Sequence, residues 1–167
     1  HGTRLGVAEG VHDPLWARAV VLRQGNAAWA LCAVDLVGVD EQSVFDIRQQ
    51  ASQSTGLAPE AILVAAIHNH SGPSAKDAGN WNKPFASLVA EAIVRAWENL
   101  QPARLASGAG VLYGYSINRR WFERPIDPGV GVLRLDDQKG NVLGTVVNFG
   151  LHAVVLGGDN LQISADY

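Results

Sequence analysis

The chain has 167 residues, 47 % of them apolar and 17 % charged, with a formal net charge of −3. This is the composition of a globular domain with a sizeable core, not of a disordered segment. No basic run exceeds Arg119-Arg120, which argues against nucleic acid as a partner, and no stretch of about 20 apolar residues offers a transmembrane span.

No signal-peptide pattern is present, although a leader already removed would leave none, so the compartment stays open. Cys32 is the only cysteine, which excludes an internal disulfide, and inside an apolar run it reads as a small hydrophobe. The chain starts at His1, contains no methionine, and stops at "ISADY" with no closing element. These features lead us to expect a piece of a longer protein.

Residues 17–23, "ARAVVLR", read as a strand, "QGN" at 24–26 as a turn, and 27–37, "AAWALCAVDLV", as a second strand, so the pair predicts a hairpin. Asp35 falls near the end of that strand, where a charge stands at a strand mouth or is paired. Asp40 is placed to cap a helix over about 41–55, with Val44, Ile47 and Ala51 at helical spacing and Gly56 as its stop. The run 61–67, "AILVAAI", predicts a strand covered on both faces, as in the centre of an α/β sheet.

Phe85, Leu88, Val89, Ala92, Ile93, Ala96 and Trp97 repeat at steps of three and four and predict a helix, ended before Pro102. Residues 104–112 read as a glycine-interrupted strand, and Gly108 and Gly110 lack the lysine and spacing of a phosphate loop. The segment 113–129 is irregular and long for a plain connection, which suggests function or a partner surface. Residues 130–135 and 142–149 predict a second hairpin around the solvated turn "DDQKGN". The order β-β-α-β-α-β, loop, β-β predicts a single α/β domain with a mixed sheet, because the two short turns imply antiparallel pairs.

In "AIHNHSGP", residues 66–73, two histidines follow the apolar run. In extended backbone His68 and His70 share a face and Asn69 points away. Paired imidazoles at i and i+2 are one way to hold a metal or a phosphate; neutral imidazole suits zinc, but a zinc site needs about four ligands. His152 stands in an equivalent place after the strand "TVVNFG" and offers a third. The plainer alternative is that each histidine caps a strand by hydrogen bonding. Other polar residues carry two readings each. His12 and Asp13 form a turn into a strand or approach a site. Asp35 orients a histidine ring or makes a structural hydrogen bond. Arg119 and Arg120 bind a carboxylate or anchor their loop. Asp166 is a ligand, a general base or neither.

Five blocks, "GVHDPLWARAVVL", "AVDLVG", "AAIHNHSGP", "INRRWFERPIDPGVGVLRLDDQKGNVLGTVVNFGLHAVVLG" and "ISADY", resemble in order and spacing the neutral/alkaline non-lysosomal ceramidase family. The resemblance covers nearly all of the chain and matches the N-terminal part of the family's catalytic domain. It implies a layered mixed-sheet sandwich, part of a four-layer α/β/β/α architecture. It also implies a zinc amidase of sphingolipid metabolism that splits ceramide into sphingosine and a fatty acid. By that resemblance His68 and His152 are zinc ligands, His70 lines the site, and Arg119 or Arg120 lies on the substrate side.

The chain departs from the family's His-Thr-His-Ser-Gly-Pro at Asn69 and from its His-Pro at His152-Ala153. The family's remaining ligands, a glutamate and a tyrosine, and its catalytic serine lie farther downstream than Tyr167. The expected partners are therefore a lipid or small-molecule amide and the missing downstream part of the same chain, with peripheral membrane contact left open. Two rival readings remain: a non-catalytic α/β interaction module using the 113–129 loop, and a hydrolase of the same scaffold acting on another amide or ester.

Overall fold

The computed structural model describes residues 6–75 and 83–166. In chain order the elements are β1 (Gly10–Val11), β2 (Ala17–Gln24), β3 (Ala27–Val34), α1 (Glu41–Thr55), a 3-10 turn (Pro59–Ala61), β4 (Ile62–Ala66), α2 (Phe85–Glu98), β5 (Ala103–Val111), β6 (Gly129–Asp137), β7 (Val142–Phe149) and β8 (Gln162–Ile163). The chain divides into two units, residues 1–100 with 153–167, and residues 101–152. Among the described residues no helix is long and apolar enough to cross a membrane.

In the first unit β2 and β3 form the expected antiparallel hairpin, with Gln24 facing Ala27 across the turn. Gly25 there adopts φ +57°, which a residue without Cβ reaches cheaply. The crossover through α1 then brings β4 in parallel to β3, giving the sheet order β2-β3-β4. Asp40 caps α1 by accepting from Ser43 N (3.1 Å) and Ser43 Oγ (2.9 Å), and Gly56 closes it at φ +73°. Arg48 Nε donates to Ile62 O (2.8 Å), tying α1 to the start of β4.

One face of this sheet carries Val21, Ala30, Cys32, Val34 and Ile62, which pack in one core with Ile47 and Ala51 of α1 and Phe85, Val89 and Ile93 of α2. Burying each isoleucine contributes about 1.5–3 kcal/mol. Burial pushes the Cys32 thiol up to about 12, so it sits in the core as a small apolar group.

The expectation that 61–67 is covered on both faces is corrected by the structure. β4 lies at the edge of its three-stranded sheet, and alternation turns Leu63 away from the helices, where it is 56 % exposed. Two short strands escape the sequence reading altogether. β1 pairs in parallel with β8, with His12 N donating to Ile163 O (2.8 Å) beyond the strand. At two residues each they are too short for any alternation to register.

The second unit is an antiparallel meander, β5-β6-β7. Its turn after β6 is held by Asp137, which accepts from Asn141 Nδ2 (2.8 Å), Asn141 N (2.9 Å) and Lys139 N (2.7 Å). The Asn141 bonds lead the contacts that hold its carboxyl below the usual carboxylate range. Residues 112–128 form no helix or strand, as expected.

Candidate functional site

Past β4 the chain keeps hydrogen bonding to the end of β3 and the loop after it: Ile67 N donates to Val34 O (3.1 Å) and Asn69 N to Leu36 O (3.2 Å). Between them His68 takes φ +67°, the left-handed region that costs a side-chain-bearing residue of order 1–3 kcal/mol and is retained where the surroundings over-determine it. The two imidazoles do meet, but through this turn and not through strand alternation.

His68 Nδ1 lies 2.7 Å from Val37 O. A carbonyl only accepts, so Nδ1 carries the proton and Nε2 presents a lone pair. That Nε2 lies 3.4 Å from Nε2 of His70, with the rings edge to face at an interplanar angle of 87°. A tetrahedral ion with metal–nitrogen distances of about 2.0–2.1 Å holds two ligand nitrogens about 3.3–3.4 Å apart. The spacing and the tautomer of His68 therefore fit a pair of metal ligands.

Asn69 points inward, away from the imidazoles. It is fully buried. Its Nδ2 donates to Asp35 O (3.0 Å) and to Ser164 O (2.7 Å), and its Oδ1 accepts from Ser71 N (2.7 Å). The turn closes tightly behind it. A Cβ on Gly72 would meet Leu15 Cδ1 at 3.1 Å, Asp35 O at 3.2 Å and Asn69 Nδ2 at 3.3 Å, which explains the glycine of Ser-Gly-Pro.

Asp35 does not orient a histidine. Its buried carboxylate accepts from Trp16 N (2.9 Å) and from Arg18 Nη1 (2.8 Å to each oxygen), so the role of ring orienter falls to the Val37 carbonyl. Asp13 accepts from Ala165 N (2.7 Å) and Ser164 Oγ (2.5 Å), which together hold its carboxyl below the usual range. Asp166 is likewise no ligand or base here. Its carboxylate accepts from Leu156 N (2.7 Å) and Val155 N (3.1 Å), fastening the C-terminal segment.

Arg119 and Arg120 are exposed in the irregular segment of the second unit, where Asn118 Oδ1 accepts from Trp121 N (3.1 Å) and Arg120 N (3.2 Å). His152 ends that unit. The residue bonded to it, Ala153, is fully buried, and its carbonyl accepts from His70 N at 3.4 Å. A cavity of about 500 Å³ between β2 and α2, lined by Leu15, Trp16, Phe85, Leu88 and Ala92 among others, contains none of the histidines. Sequence reasoning missed Val37, Ser164 and the inward grip of Asn69. The two Ser164 contacts span 95 and 151 residues, and a backbone carbonyl leaves no residue-type signal.

No family model matches the chain. Neutral ceramidase A of Dictyostelium discoideum is 25 % identical over 190 residues, covering 96 % of this chain and 26 % of that protein. The neutral ceramidase of Pseudomonas aeruginosa is 29 % identical over 184 residues, covering 94 % of this chain and 28 % of that protein. The crystal structure of the neutral ceramidase from Pseudomonas aeruginosa matches with a TM-score of 0.82 at 26 % identity, over 99 % of this chain and 31 % of that one. The chain thus spans under a third of the length of each of these, while similarity to neutral ceramidases extends over nearly all of it, as the sequence blocks led us to expect. The mixed α/β fold is shared with the solved structure.

Proposed function

We propose that this chain, similar over nearly its whole length to neutral ceramidases, carries part of a metal-assisted site that hydrolyses an N-acyl amide bond in ceramide or a related lipid amide. The observation that carries the reading is the His68–His70 pair, two Nε2 atoms 3.4 Å apart with the His68 ring locked by a carbonyl. His152 would be a third ligand beside His68 and His70. Imidazole nitrogen suits zinc, and the covalent link of His152 to Ala153 supports its inclusion. Bound there, zinc would supply a Lewis acid and lower the pKa of a coordinated water.

The chain's own residues divide the remaining work. His68 offers Nε2 while Val37 O holds its Nδ1 proton, the arrangement that fixes tautomer and ring orientation in metal sites. His70, its Nε2 3.4 Å from that of His68, would line the site as a further ligand or hydrogen bond the developing oxyanion. Arg119 or Arg120 would hold a polar group of the substrate, with five guanidinium donors in a fixed fork. Further ligands and a nucleophile would come from downstream residues, and the four-layer sandwich is proposed for that longer catalytic domain.

The test uses the full-length protein with an N-acylsphingosine in detergent micelles, fatty-acid release being read by mass spectrometry. Release that chelation abolishes, zinc restores and His68→Ala removes is the expected result. Release from short N-acyl compounds or esters alone would reassign the substrate. No release from any amide or ester would leave the scaffold as an interaction module and sink the hydrolase reading.

A further inference from the structure

We infer that Asn69 is a positioning residue that sets the His68–His70 pair, and that it does so by anchoring the histidine turn to the C-terminal segment. The inference deepens the metal-site reading and rests on it for its functional meaning. Asn69 stands between the two imidazoles in sequence, yet its own side chain is fully buried and uses both donors and its acceptor. Each bond reaches a different segment: Asp35 after β3, Ser164 after β8, and Ser71 in the turn itself. Its backbone N–H adds a fourth bond, to Leu36 O.

The histidine backbones on either side inherit their places from this hub. His68, at φ +67°, stands between the anchored Ile67 N and Asn69 N, and its Nδ1 meets Val37 O two residues beyond Asp35. On the other side, Ser71 N is bonded to Asn69 Oδ1 and Ser71 O accepts from Ser164 N (3.2 Å), which fixes the peptide leaving His70. No apolar or acidic residue can replace this set. Alanine leaves two carbonyls and one N–H unanswered in a buried place, and aspartate aims an acceptor at two acceptors.

Two readouts test the assignment. One is metal-independent: the nuclear Overhauser effect between the His68 and His70 ring protons, whose ring centroids lie 4.8 Å apart, in histidine-labelled protein. The other is the zinc dissociation constant from competition with a chelator. Asn69→Ala is compared with Asn69→Ser, which keeps an oxygen for Ser71 N but cannot reach Ser164 O and disturbs the fold less. Circular dichroism certifies that each variant is folded.

The expected result is loss of the ring contact and a zinc affinity weaker by about 10–100-fold in a folded variant, the usual cost of removing a residue that orients a ligand. A folded variant that keeps the ring contact, with zinc affinity within twofold of the parent where the parent binds zinc, would overturn the assignment. Should the full-length parent bind no zinc while the variants still lose the ring contact, the metal reading fails and the positioning role of Asn69 stands.

Discussion

His68 Nε2 faces His70 Nε2 across 3.4 Å, and the Val37 carbonyl holds the far side of the His68 ring at 2.7 Å. An Nε2–H of His70 donating to the His68 lone pair, or a cation shared by both nitrogens, accounts for so close an approach. The proposed metal site predicts close to one zinc per chain by elemental analysis of the full-length protein purified without chelator and refilled. Changing His68 or His152 to alanine would remove a proposed ligand itself. Each variant should lose more affinity than the about 10–100-fold typical of an outer residue. Full zinc in His152→Ala would strike that residue from the ligand set, and no zinc in the parent would leave the histidines as strand-end caps or as half a site that needs the downstream ligands.

Asp35, whose carbonyl holds Asn69, joins Arg18 in an ion pair of unequal burial. Asp35 exposes 1 % of its side chain and Arg18 58 %, at 2.8 Å. The exposed partner gains little by itself, but its loss leaves a buried carboxylate bonded to Trp16 N without its guanidinium. Arg18→Ala should cost about 1–3 kcal/mol, the penalty of an under-satisfied buried acceptor. The check is urea unfolding, with the slope unchanged and the midpoint lowered. An unchanged midpoint would mean that water replaces the guanidinium at no cost.

Much of this was legible in the residues because local rules were obeyed. Asp40 and Gly56 bracket α1 where cap chemistry puts them, and the stripe from Phe85 to Trp97 is α2. The hairpin turns at Gly25 and Gly140 needed only their glycines. What failed depends on context. An all-apolar run cannot say whether one face or two is covered, so the residues predict a central strand where β4 lies at an edge. His68 and His70 were expected together, and they are, yet by a left-handed turn whose supports are Asp35, Leu36 and Ser164. Contacts across 95 residues have no periodicity to read.

The latch between Asp13 and Ser164–Ala165 carries a pH signature. Its folded carboxyl is held below its ordinary value, first by Ala165 N and then by Ser164 Oγ. A depressed carboxylate contributes stability that is present above its unfolded pKa and is lost as pH falls through the folded one. Asp13→Asn should therefore melt below the parent at pH 7, and the gap should narrow as both are titrated below about pH 4. Melting curves from pH 7 to pH 3 provide the measurement. A gap that stays constant with pH would show that the amide disturbs packing and that ionisation of Asp13 is irrelevant to the latch.

Arg119 and Arg120 are neighbours, both exposed, and only one can be expected to meet a substrate group from a given backbone direction. Exposure makes the pair easy to dissect. Each alanine variant should stay within about 0.5 kcal/mol of the parent in stability, as surface changes do. Losing a charge-assisted hydrogen bond of about 1.5–3 kcal/mol should lower kcat/KM on an N-acylsphingosine by about 10–150-fold in one variant and within twofold in the other. If the bond is made equally to bound substrate and transition state, the loss falls on KM; if it tightens only as the amide breaks, it falls on kcat. Two variants with parental kcat/KM would remove both arginines from the substrate side and return the 112–128 segment to a structural role.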